Sequence, residues 1–138
     1  MNFNPDVSQP NTIFFATKSN GDANRHFYDS NNRQLVGYTT VLIAYADNIL
    51  SYGSKPTTFQ LVSVFFSGSS TTLQSNDGIT VSGSAGNRNM TGNTVLMAGD
   101  QGAARVNGVM SEFIVYPSDQ SSNKEDIKTN INNFYSIY

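Results

Sequence analysis

Apolar residues in this chain come in short runs separated by Gly, Asn, Asp, Ser and Pro, which is the rhythm of strands rather than of helices. The runs Ile13-Phe14-Phe15-Ala16, Val41-Leu42-Ile43-Ala44-Tyr45-Ala46, Leu61-Val62-Ser63-Val64-Phe65-Phe66, Thr94-Val95-Leu96-Met97-Ala98 and Phe113-Ile114-Val115-Tyr116 are rich in β-branched and aromatic residues, and each predicts a strand. His26-Phe27-Tyr28, Thr72-Leu73-Gln74-Ser75 and Gly78-Ile79-Thr80-Val81-Ser82 are weaker candidates, and the last two flank the turn Asn76-Asp77-Gly78 as a hairpin would. Around residue 62 both strand faces are apolar. Phe59, Leu61 and Phe65 project to one side, and Val62, Val64 and Phe66 to the other. Such a strand is covered on both faces. No helical crossover separates the runs, so an antiparallel β-sandwich is expected rather than a parallel sheet.

Periodicity changes only near the end. Ser122-Asn123-Lys124-Glu125 has capping-box spacing, and Ile127, Ile131, Phe134 and Tyr138 follow at helical intervals, predicting a helix over about 123–135. Lys124, Asp126, Thr129, Asn130 and Asn133 fall on its polar side. The first ten residues carry Pro5 and Pro10 without periodicity and read as an extended arm, leaving 11–138 as one sandwich domain with its closing helix.

Composition narrows the function. The 138 residues include 8 Lys and Arg against 10 Asp and Glu, for a net charge of −2, so no basic field exists to hold a nucleic acid. No apolar run approaches the roughly 20 residues of a spanning helix, and the Met1 to Asp6 start lacks the charged and apolar regions of a signal peptide, so no membrane insertion is expected. There is no Cys and a single His, His26, which excludes disulfides, thiolate sites and His-rich zinc sites. Ser, Thr and Asn dominate the polar residues, a surface common in proteins that work outside cells.

From Phe59 onward the order of elements becomes specific. A strand at 59–66, a Ser-rich turn, the Asn76-Asp77-Gly78 turn, a strand ending Met97-Ala98-Gly99-Asp100, and then Asn107-Gly108-Val109-Met110-Ser111-Glu112-Phe113-Ile114-Val115-Tyr116 resemble the laminin-G-like, concanavalin A-like jelly rolls of phage structural proteins and secreted bacterial proteins. Gly108, Met110, Glu112 and Tyr116 match that family's late strand, and Ser122 to Tyr135 its closing helix. The resemblance implies an all-β, antiparallel jelly-roll sandwich at a virion surface or outside the cell. Many such domains carry further strands before the counterpart of Gln9 to Phe14. The resemblance therefore implies that this chain is a cut-down form, or that strands come from elsewhere in a longer protein or from a partner chain. An unpaired sheet edge of that kind suits a homo-oligomer.

Related jelly rolls include glucanases, which need two closely placed carboxylates. Glu112 has no acidic neighbour within two positions, Glu125-Asp126 opens a helix, and no Gly-x-Ser-x-Gly elbow accompanies His26, so no enzyme is expected. The resemblance also allows calcium at loop oxygens of Asp29, Asn31, Asn32, Asp47, Asn48, Asp77 or Asp100. These are equally ordinary turn residues, no EF-hand loop occurs, and no cofactor is expected. Sugar recognition requires flat rings beside groups that fix hydroxyls. Arg25, Tyr28, Asp29, Arg33, Asp47, Asn48 and Tyr52 supply both and form the candidate ligand site. Tyr45 is assigned to the core, and the Ser-Gly stretches near Ser67 and Ser82 offer no comparable surface for a sugar. The reading is a non-catalytic recognition or adhesion domain of a phage fibre or capsid-decorating protein, with a cell-surface glycan and other virion proteins as partners. The alternative is a purely structural assembly module.

Overall fold

The computed structural model describes residues 1–20, 24–99 and 104–138, and it is built mostly of antiparallel strands with one helix. In chain order the strands are β1 (Asn2–Phe3), β2 (Asp6–Val7), β3 (Asn11–Ser19), β4 (Arg25–Ser30), β5 (Leu35–Tyr38), β6 (Leu42–Tyr45) and β7 (Ile49–Tyr52). They continue with β8 (Gln60–Phe66), β9 (Thr71–Ser75), β10 (Val81–Gly83), β11 (Met90–Thr91), β12 (Thr94–Leu96) and β13 (Gly108–Tyr116), and the helix α1 (Lys124–Tyr135) closes the chain. One sheet has the order β1-β12-β4-β5-β6-β7, the other β10-β9-β8-β3-β13, and β2 pairs with β11 apart from both. The predicted β9–β10 hairpin forms, with Leu73 opposite Val81.

The alternation in β8 decides the layering. Val62, Val64 and Phe66 join Ile13 and Phe15 of β3 in a buried cluster with Phe27, Val36, Tyr38 and Leu42 of the facing sheet. Leu61 and Phe59 project the other way, with Phe14 and Ala16, under Ile131 of the helix. The five-stranded sheet is thus covered on both faces, as its doubly apolar pattern requires. Each fully buried Phe or Ile side chain contributes roughly 1.5–3 kcal/mol of transfer free energy to this stacking.

The helix departs from its sequence signature. It starts at Lys124, and Asn123 at the N-cap makes no side-chain capping bond. The Asn123 amide instead donates to Gln120 Oε1 at 2.9 Å, and Glu125 accepts from Lys128 Nζ at 3.1 Å, so the capping box is not formed. The docked stripe is Ile127, Ile131 and Tyr135. Phe134 is 79% exposed, and Tyr138 lies beyond a helix that ends at left-handed Ser136. Lys128 completes the stripe although it is charged. Its side chain is buried, and its ammonium reaches Asp77 Oδ1 at 3.2 Å and Gln74 Oε1 at 3.4 Å, tying α1 to the β9–β10 hairpin. A long aliphatic stem that packs while its charge finds partners at the rim is invisible to an apolar count.

The first ten residues are tied down along their length. Asn2 pairs with Val95 and Phe3 with Thr94, and Asp6 and Val7 pair with Thr91 and Met90. Gln9 then accepts from the Gly68 amide at 2.6 Å and donates to the carbonyls of Arg88 and Gly86 at 2.7 and 3.1 Å. Two-residue strands have no period to read.

Candidate functional site

The outer face of the six-stranded sheet is where its loops and rings meet. Pairing registers place Asp29, Leu35, Tyr45 and Ile49 in one row across β4 to β7, with His26, Gly37, Ile43 and Ser51 in the next. A bulge in β4 skips Phe27 in the pairing with β5. It turns Phe27 and Tyr28 together into the core and leaves His26 and Asp29 on one outer face although they are three residues apart. Gly37, opposite His26, has no Cβ, and a Cβ there would press on the Arg25 carbonyl and the imidazole.

Asp29 is fully buried and accepts from Arg33 at 3.3 Å, and the same oxygen lies 3.0 Å from His26 Nδ1. An ionised carboxylate only accepts, so this contact puts the imidazole proton on Nδ1. Among the described residues no hydroxyl bonds to the imidazole. Arg33, held at left-handed φ 62, carries its guanidinium carbon 6.0 Å from the Tyr45 ring centre.

β4 ends where β5 and β7 begin, so the 31–34 and 46–48 turns lie at the same end of the sheet. A third segment crosses them. The Ala46 and Asn48 amides both donate to the Ala85 carbonyl, at 2.6 and 2.9 Å, and the Arg88 amide donates to the Ala46 carbonyl at 3.2 Å. Gly86 sits at φ 95 against this turn, where any Cβ would collide with the Ala46 carbonyl oxygen. The crossing delivers Arg88 to Asp47 as an ion pair, and that bond to Asp47 is the main cause raising the Arg88 pKa, with Asp47 and Tyr45 charge adding to it. Asn48 donates to Ser84 at 3.3 Å, and Gln34 to the Arg88 carbonyl at 2.9 Å. Beside this loop lies an open polar cleft of about 410 Å³ walled by Gln9, Ser67, Ser69, Asn87 and Asn89.

The seven residues singled out from sequence therefore separate. Asp29, Arg33, Asp47 and Asn48 gather at one end of the sheet. Arg25 and Tyr52 stand at the other, since Arg25 begins β4 and Tyr52 ends β7. Tyr52 faces inward and its hydroxyl donates to the Ser75 carbonyl at 3.4 Å. Tyr28 is fully buried, edge-on to Phe113 at 5.3 Å, and offers no ring to solvent. Burial, reinforced by the Asp29 charge, pushes its phenol well above the usual range, and its hydroxyl finds no partner among the described residues. The ring that does stand with Arg33 and Asp47 is Tyr45, half-buried on the outer face rather than in the core. Its signal was present in Leu42-Ile43-Ala44-Tyr45-Ala46: the two alanines share the crowded inner face with Leu42, which sends Ile43 and Tyr45 outward. Arg88 carried no local signal, because 41 positions separate it from Asp47.

The acidic candidates for calcium are engaged elsewhere: Asp29 with Arg33, Asp47 with Arg88 and Asp77 with Lys128. Asp100 lies outside the described residues. Among the described residues no three His, Asp or Glu side chains converge as metal ligands, and no helix is long and apolar enough to cross a membrane. No protein-family model matches the chain, and the comparison with curated proteins gives no match.

Proposed function

We propose that this is a non-catalytic recognition domain that binds carbohydrate at the outer face of the six-stranded sheet, on Tyr45 and its surrounding charged groups. The observation that carries the reading is the convergence of an outward ring with Arg33, Asp47, Arg88 and Asn48 from three separate loops. A pyranose needs an apolar face to lie on and fixed donors and acceptors at its edge, and this surface supplies both. The Asp47–Arg88 pair holds an acceptor and a donor at set positions, and the amide-lined cleft beyond Arg88 extends the polar edge. The topology is taken as a jelly roll of the laminin-G-like, concanavalin A-like kind, and the setting as a virion appendage in which repeated copies turn weak single sites into strong attachment.

A dense glycan array tests this. Tyr45→Ala, Arg33→Ala and Asp47→Ala are each expected to weaken bound signal at least tenfold, whereas Arg25→Ala leaves it within about twofold. Binding that persists in the triple variant, or no binding to any glycan, sinks the reading. A second reading, a structural assembly module, draws on Ile49, which stands beside Tyr45 and is 62% exposed. It predicts that the face is covered by a sister chain and that oligomerisation, not sugar binding, is lost when the face is altered.

A further inference from the structure

The two sides of the sandwich close differently. On the β7 side, Leu50 packs against Gly83 and the Tyr52 hydroxyl reaches Ser75, so the six-stranded sheet meets β9 and β10 directly. On the β13 side Phe113 meets Tyr28 and Phe3 of the facing sheet, with ring centres 5.3 and 6.0 Å apart, and no strand of that sheet closes over β13 among the described residues. Between the sheets runs a groove of about 630 Å³ lined by Phe3, Leu96, Met97, Met110, Phe113 and Val115. Its volume falls in the range of pockets that hold ligands.

One wall of that groove is a strand edge. β13 spans 9 residues and, among the described residues, pairs only with β3, so its other edge presents main-chain amides and carbonyls with no neighbouring described strand. A bulge at Ser111, whose carbonyl accepts from Tyr135 at 3.1 Å, fixes the strand in the middle. Next to the bulge Glu112 pairs with Ala16, which sends its side chain to the helix-side face at the border of the groove, and its carboxylate makes no hydrogen bond or ion pair among the described residues. An apolar small molecule would leave both the main-chain edge and this carboxylate unanswered. A strand answers both, because it hydrogen-bonds along the edge and sends alternate side chains to opposite faces.

We propose that the free edge of β13 receives an extended segment of another polypeptide, with its apolar side chains in the groove and a basic residue opposite Glu112. The test uses the full chain and two capped nonapeptides of alternating Thr and Val, one with a central Lys and one with a central Glu, followed by NMR titration and amide exchange. The Lys peptide is expected to bind more tightly and to slow exchange of β13 amides. Glu112→Lys, at the rim of the groove, is expected to weaken the Lys peptide about fivefold to tenfold and to favour the Glu peptide, and Glu112→Gln to abolish the preference. The proposal is overturned if neither peptide binds at millimolar concentration, or if both bind alike and Glu112→Lys changes nothing. It is also overturned if β13 amides are already protected without peptide in proportion to protein concentration, which would make the occupant a second copy.

Discussion

The outer faces of the two sheets are built from the same alternation and meet opposite fates. On the five-stranded sheet, Phe14, Ala16 and Leu61 are buried because α1 lies over them with Ile127, Ile131 and Tyr135. On the six-stranded sheet the corresponding face over β6 and β7 carries Tyr45, Ile43 and Ile49, with no helix above them among the described residues, and its edge is populated by Arg33, Asp47 and Arg88. A covered face invests its apolar side chains in stability, and an uncovered one leaves them available to a ligand. The difference is testable because substitutions should cost folding free energy on one face and binding on the other.

The largest loss is expected at Phe14→Ala. This ring is fully buried and stands edge-on to Tyr116, with ring centres 6.1 Å apart, and its removal should cost about 3–5 kcal/mol in denaturant unfolding. Ile131→Ala, from the helix side of the same contact, should cost about 2–5 kcal/mol. Effects well under 1 kcal/mol at both positions would mean that α1 does not dock. On the open face, Tyr45→Ala removes a half-buried ring and its contact with Arg33, for a cost of about 1 kcal/mol. A cost near that of Phe14→Ala would erase the distinction between the faces.

How far the sequence reaches follows the same division. The long strands and the double-sided burial of β8 were legible because a near-continuous apolar run of strand length, rich in β-branched and aromatic residues, signals a strand covered on both faces. The pairing of β1 and β2, the strands β5 and β7, and the buried Lys128 were not. Leu35-Val36-Gly37-Tyr38 is interrupted by a glycine that makes room for His26, and Ile49-Leu50-Ser51-Tyr52 is short and half polar. At the site, Arg33, Asp47 and Asn48 were recognisable as turn residues rich in polar groups, but their ring was misassigned. Tyr28 adjoins Asp29 and Tyr52 follows Asp47 and Asn48 in the chain, whereas the fold sets Tyr45 beside Arg33, and the β4 bulge reverses the face on which Tyr28 would otherwise point. Distance along a strand, not distance along the sequence list of rings, decided which tyrosine was available.

The smallest effect, and the one that separates the two readings of the open face, is expected at Ile49→Thr. Ile49 sits opposite Tyr45 at the first position of β7 and is 62% exposed. Threonine keeps the β-branched shape favoured in strands, so an uncovered face should tolerate it within about 0.5 kcal/mol. Sugar binding next to it should fall only modestly, because the ring and the charged groups remain. If a sister chain covers this face, Ile49 is instead buried in the assembly, and the exposed value applies only to the separated protomer. Ile49→Thr would then lower the melting temperature of the wild-type oligomer and make it depend more steeply on protein concentration. Unfolding at two concentrations a hundredfold apart distinguishes these outcomes. A melting temperature unchanged by both the dilution and the substitution keeps the face open and sends the burden of proof back to Tyr45.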